Sequence, residues 1–372
     1  MKFPVIKKVL MIVFLTALLL IPLTMIEDVV YERSSYRNQA SYNIASSWTG
    51  EQQFLGPLLV VPYKEHYTVK VWDELLKRYD IQEQTLQKRV IISPESLEVD
   101  GEVKTETRKR GIYAVPVYHS RLAVAGSFLL KRLENFTPPE GHRIEWQPAF
   151  LSLMVSDVRG VEVQPRLKWN KTDIEFASDT LIDGMRSGMH APLGILAAQE
   201  EAISFAFDLK LNGMELLQFS PVGKSTRVSL SADWADPSFM GRYLPTTRSI
   251  DADGFKANWI LSSFSSGITQ QLEACQTGEC DGLLGETFGV KLFNSVDIYQ
   301  QSERSIKYAL MFIGLTFVSF FLYEVMKGLR LHPMQYLLVG LGLSVFYLLL
   351  ISLSEHSMAC CMGYSALKTI PC

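Results

Sequence analysis

The chain has 372 residues, 48% of them apolar, and a mean hydropathy of +0.11, high for a water-soluble protein. Its 36 basic and 39 acidic residues give a net charge of -3, which leaves no basic footprint and argues against nucleic acid as a partner. Some of the apolar excess must be clustered, and the clusters are long enough for a bilayer, whose core needs about 20 apolar residues.

The first cluster, "VLMIVFLTALLLIPLTMI", occupies residues 9–26 behind Lys2, Lys7 and Lys8. A cleaved signal peptide would also begin with such lysines, but its apolar part is usually about 7–15 residues long and ends at a small-residue cleavage site. This run is longer and passes into "PLTMIEDVVYERSSY", so residues 1–26 are read as a short basic terminus and an uncleaved transmembrane helix.

Residues 27–306 form one hydrophilic block with β character. It opens on "EDVVYERSSYRNQASYNIASSWTG", read as the helix continuing until Gly50 stops it. In "AISFAFDLKLNG", Ile203, Phe205, Phe207, Leu209 and Leu211 share one face, with Ser204, Asp208 and Lys210 on the other. That is the period of a half-buried strand. The same alternation groups Val228, Leu230, Ala232 and Trp234, and "VIISPESLEVDGEVKTETRKRGIYAVPVYHSRLAVAGSF" gives at least three further short strands. Asp100-Gly101 and Asn212-Gly213 read as turns. Helices around residues 121–134 or 258–273 are weaker alternatives. Many short strands with turn signals between them point to an antiparallel sandwich or two stacked β lobes.

Cys275 and Cys280 lie in "CQTGEC". An oxidising compartment permits a disulfide there, worth about 2 kcal/mol for so short a loop. The alternative, a metal site, lacks further ligands nearby. Cys360, Cys361 and Cys372 form no pattern. No phosphate loop, nucleophile elbow or metal-binding helix is present in the sequence, and no cofactor is implied. His66, His119, His142, His190, His332 and His356 are too dispersed to suggest a ligand set. Asp157, Arg159 and Asp236 are polar residues without an assigned role, for which turns, caps and ion pairs are the ordinary reading.

Residues 307–324 and 334–354 are the second and third spans, joined by a loop at 325–333 that carries Lys327 and Arg330. The positive-inside rule puts the N-terminus and this loop in the cytoplasm and residues 27–306 outside, with Glu355 and His356 at the outer rim. The spans carry no charge in their interiors, and Glu324 is read as an interfacial partner of Lys327. Gly340, Gly342 and Ser344 place small residues together on the third span, a face for close helix approach, although glycine is common in membrane helices in any case. The fold class is a membrane-anchored α+β protein: three transmembrane α-helices with a large, mainly antiparallel, sandwich-like β domain.

"ERSSYR", "GPLLVVPY", "RKRGIYAVPVYHS", "WADPSFMGRYLP", "GFKANW", "YALMFIGLTFVSFFLYE" and "RLHPMQYLLVGLGLSVFYLLLISLSEH" resemble, in order, the CreD family of bacterial inner-membrane proteins. The resemblance implies the inner membrane of a Gram-negative cell, a periplasmic location for residues 27–306, induction by the CreBC two-component system, and a link to envelope integrity and to β-lactam and colicin response. It carries over no catalytic residue. Family members continue past Ser-Glu-His with further apolar helices, whereas residues 355–372 pass into "SMACCMGYSALKTIPC"; this is read as an aberrant external tail left by truncation or a frameshift.

The expected function is therefore a non-enzymatic envelope-stress protein. Its partners are the bilayer and an envelope protein or cell-wall component, with no small-molecule ligand specified. A transporter or channel component is the alternative, and an envelope enzyme a remote third reading.

Overall fold

The computed structural model describes residues 2–74, 77–111, 113–130, 133, 136–185, 187–196, 202–292, 298–328 and 331–364. They form two compact units. One comprises Met1–Tyr42, Arg110–Tyr113 and Asn294–Cys372, the other Asn43–Lys109 and Ala114–Phe293. The helices in chain order are α1 (Lys2–Ser47), the short α2 (Ser263–Ser266), α3 (Ile268–Gln276) and α4 (Asp281–Gly285), then α5 (Ile298–Lys327) and α6 (Pro333–Tyr364).

In the first unit, α1, α5 and α6 are long and apolar enough to cross a membrane. Leu15, Leu19 and Leu23 of α1 pack with Ala309, Ile313 and Phe317 of α5 and with Tyr336 and Tyr347 of α6. Many of the remaining apolar side chains, such as Val13, Phe14, Leu315 and Leu338, point outward, as a lipid-facing surface requires. Helix α6 does not stop at residue 354 but runs through Glu355 and His356 to Tyr364. Met358, Ala359 and Met362 are good helix formers, and no proline interrupts them. The side chains of 354–364, including Cys360 and Cys361, and all of Arg330 and Cys372 lie outside the described residues.

In the second unit the described strands form two sheets. The first runs β14 (Pro237–Gly241), β17 (Phe288–Leu292), β12 (Leu216–Phe219), β1 (Gln52–Asp73), β6 (Ala149–Val155), β10 (Gly188–Gly194), β9 (Ala177–Ser178), with β2 (Arg78–Ile92) and β5 (Arg143–Trp146) also pairing with β1. The second runs β15 (Thr247–Asp251), β16 (Gly254–Ser262), β13 (Ser225–Ala232), β3 (Ser96–Arg110), β4 (Tyr113–Leu129), β11 (Ala202–Met214), β7 (Arg166–Trp169), β8 (Thr172–Glu175). Two pairings, β1 with β12 and β3 with β13, are parallel, so the sheets are mixed. One continuous core takes residues from both sheets, among them Phe54, Val60 and Leu151 from the first and Val124, Phe207, Leu209 and Trp259 from the second. The five alternating residues from Ile203 to Leu211 are all buried in it.

Local turn signals misled at two places. Asp100-Gly101 lies inside β3, because Gly101 faces the core where a Cβ would overlap the Leu230 side chain; the glycine serves close packing and not a turn. Asn212-Gly213 lies inside β11, with Gly213 against the Tyr118 ring, and the chain turns instead at Glu215, whose φ is 56°. The alternative helix at residues 121–134 is strand as far as Leu129, since Leu122, Val124 and Phe128 keep a period of two. Of the alternative helix at 258–273, the first part is β16, and helix begins only at Ser263. The strands between residues 78 and 129 are long, of 15 to 17 residues, not short.

Candidate functional site

The solvent face of the second sheet carries a trough with a cavity volume of about 620 Å³, within the range of ligand sites. Its construction follows from strand register. Successive side chains on a strand alternate faces, so Leu122 and Val124 go to the core and Ala123 and Ala125 outward. On β11, Phe205, Phe207 and Leu209 go inward and Ala206, Asp208 and Lys210 line the outer face. Register sets Ala125 opposite Ala206, Ala123 opposite Asp208, and Ala206 opposite Lys168 of β7. On the other side β3 presents Glu98 and Asp100, which stand opposite Arg227 and Ser229 of β13. The floor is thus alanine at Ala123, Ala125 and Ala206, with Asp208 and Lys210 of β11 beside them, β3 forms an acidic wall and β7 a basic one with Arg166 and Lys168.

Several of these charges are already paired. Arg227 donates to Glu98 at 3.2 Å, Arg121 lies 3.5 Å from Asp208, and Arg166 donates to Glu175 at 3.1 Å. Asp100 and Lys168 face the trough with no ion pair among the described residues. None of the trough residues was singled out from sequence as a site. The available signal was the presence of alanines at solvent positions of alternating strands, where polar residues are usual.

Asp157 and Arg159 have a different task. Asp157 caps a 3-10 turn at Val158–Gly160 and accepts two hydrogen bonds from the Arg159 guanidinium, at 2.9 and 2.6 Å. Arg159 in turn donates to the carbonyls of Ser46 at 2.7 Å and Ala45 at 3.3 Å, two of the carbonyls that the last turn of α1 leaves without intrahelical partners. Burial pushes the Asp157 carboxyl up, but hydrogen bonds from Arg159 and the Gly50 amide outweigh it and hold its pKa below the usual range. Asp236 offers its backbone carbonyl to the Trp234 indole at 3.2 Å.

Four of the histidines are spread through the β unit, and His332 and His356 belong to the helical one. His66 contacts Thr85 and Glu145, His119 contacts Glu162, and His190 contacts the Asp179 carbonyl. His142 bonds the buried Glu65 at 2.8 Å, and Lys88 bonds its other oxygen at 2.6 Å; these two partners hold the Glu65 carboxyl below the usual range. Among the described residues no three His, Cys, Asp or Glu side chains converge as a metal site. Cys275, near the end of α3, and Cys280, before α4, form a disulfide with Cα atoms 4.2 Å apart.

In the helical unit Glu324 pairs with Lys8 of α1 and not with Lys327. Glu324 points inward and is 6% exposed, where the hydroxyl of Tyr336 also reaches it at 3.3 Å, whereas Lys327 faces outward. Lys8 further donates to the Leu331 carbonyl at 3.3 Å, so one cluster ties α1, α5 and the start of α6. Gly340 and Ser344 lie on a packed face: a Cβ on Gly340 would overlap Leu19, and Ser344 is buried with its hydroxyl on the Gly340 carbonyl at 3.0 Å. Gly342 faces open space.

Three helices fit to cross a membrane, together with a folded β unit, define an integral membrane protein with a large sandwich-like domain. The chain belongs to the CreD family: the family model described as "Inner membrane protein CreD" matches residues 4–367. It is 36% identical over 343 residues to inner membrane protein CreD of Escherichia coli strain K12, covering 91% of this chain and 73% of that protein.

Among solved structures, a mutant M1 zinc metallopeptidase of Deinococcus radiodurans with a Tyr-Ser-Ala substrate matches at 10% identity and a TM-score of 0.22, over 45% of this chain and 39% of that one. Another structure, of M1 zinc metallopeptidase from the same organism, gives 10% identity and a TM-score of 0.21, over 46% and 39%. At these scores the likeness says nothing about fold or chemistry here.

Proposed function

We propose that this chain is a non-enzymatic inner-membrane protein of the envelope-stress response within the CreBC regulon, linked to envelope integrity and to β-lactam and colicin response. In this reading its N-terminus and Lys327 lie in the cytoplasm, its β unit lies in the periplasm, and the β unit holds an envelope protein or a wall-associated component. The observation that supports binding is the trough of about 620 Å³ on the second sheet, whose alanine floor lies between walls of opposite charge. Folded sheets usually cover a solvent face with long polar side chains; a floor of methyl groups leaves room for another molecule.

Photo-crosslinking in cells tests the reading. A photoreactive residue at Ala125 or Ala206 is expected to give a discrete envelope adduct that disappears with Lys168→Glu and does not form from Ile250, an exposed position on β15 of the same sheet. Adducts that are identical at Ile250, or no adduct at either trough position, would overturn it.

A further inference from the structure

The trough's charges have a spacing, and the spacing selects a ligand. From β3, which carries Glu98 and Asp100, to β7, which carries Arg166 and Lys168, the order is β3-β4-β11-β7. Three strand steps at about 4.8 Å put the walls about 14 Å apart. Between them Ala125 and Ala206 stand in register, so nothing longer than a methyl group rises from the floor along that row. An extended peptide advances about 3.3–3.6 Å per residue, so about four residues bridge the two walls.

Sign matters as much as distance. Glu98 is taken by Arg227, Asp208 by Arg121 and Arg166 by Glu175, which leaves Asp100 on one wall, Lys168 on the other and Lys210 on β11 without an ion pair among the described residues; Asp100 and Lys168 are the two that face each other across the floor. A polyanion would meet Glu98, Asp100 and Asp208, and a polycation would meet Arg166, Lys168, Lys210 and Arg227; each suffers repulsion within the trough. A molecule with a cation at one end and an anion at the other meets opposite charge at both.

We propose that the trough is a site for a short, extended, zwitterionic peptide of about four small residues, its ammonium group at Asp100 and its carboxylate at Lys168. Small side chains are required because the bound backbone lies directly on Ala125 and Ala206. This assignment rests on the trough being the protein's binding site, and it adds the class of ligand.

The test uses the full chain in detergent micelles and tetra-alanine with free termini as the probe, with binding followed by calorimetry. Tetra-alanine is expected to bind, and N-acetylation or C-amidation to weaken it about tenfold each. Asp100→Lys and Lys168→Asp should each abolish binding, while the double exchange restores it with the peptide reversed, a recovery that damage to the fold would not produce. Ala125→Trp should fill the floor and remove binding altogether.

Equal binding of the doubly blocked peptide, no recovery in the double exchange, or unchanged binding in Ala125→Trp would overturn the assignment. If tetra-alanine does not bind while the Ala125 crosslink in cells persists, the ligand class is wrong and the binding reading stands. Loss of both would remove the two together.

Discussion

Gly340 and Gly342 are two residues apart on α6, and the same substitution at each should have opposite consequences. At Gly340 a methyl group would overlap the side chain of Leu19, which is 1% exposed on α1, and would come within 3.1 Å of the Phe317 ring on α5. At Gly342 it would meet nothing within 4 Å. Ala for Gly changes intrinsic helix propensity by about 1 kcal/mol at either position, so that contribution cancels in the comparison. What remains is overpacking, about 1–3 kcal/mol, equivalent to roughly a 5- to 140-fold difference in the folding equilibrium.

The assay is an SDS titration of the full chain in micelles, with fluorophores near the ends of α1 and α6 reporting their separation. Gly340→Ala should unfold at lower SDS than Gly342→Ala, and Leu19→Ala should recover much of the loss by emptying the contested space. Equal midpoints for the two glycine variants, or no rescue by Leu19→Ala, would refute the packing reasoning.

Two further perturbations address the polar clusters. Lys8→Met or Glu324→Gln alone should weaken the helical unit by up to about 3 kcal/mol, the low end for buried pairs because the Lys8 side chain is 23% exposed. Replacing both by apolar residues should recover most of it in the same titration; a double variant as weak as the sum of the singles would contradict the pairing. In the β unit, the Glu65 carboxyl is held below the usual range by Lys88 and His142, so its folded pKa lies under the unfolded value of about 4.3. Its stabilising effect is therefore full above that pH and is lost as pH falls through the folded value. Melting followed by tryptophan fluorescence should show a shallower acid dependence for Glu65→Gln, and an unchanged slope would exclude the assigned partners.

The spans and the inward faces of several strands were legible because they depend on local pattern. An apolar run of membrane length needs no partner to be recognised, and the alternation from Ile203 to Leu211 reappears as buried core. Turn dipeptides failed for the complementary reason. Gly101 and Gly213 are glycines because Leu230 and Tyr118 approach them, and those neighbours come from distant strands. Asp157 and Arg159 were visible as polar residues without a role, but their use as a cap depends on the carbonyls of Ala45 and Ser46, more than a hundred residues earlier.

By itself the amino-acid order determined that the chain enters a membrane, how often, and that a β-rich block stands between the first and second spans, since burial in lipid and strand periodicity are properties of contiguous residues. Tertiary structure alone decided the parallel pairings, the trough and the partner of Glu324. Lys8 and Glu324 are 316 residues apart, and the trough draws on five strands of one sheet. Such contacts carry no local period: the choice between Lys327 and Lys8 as partner, or between Gly340 and Gly342 as the packed glycine, depends on which face of a helix another helix covers.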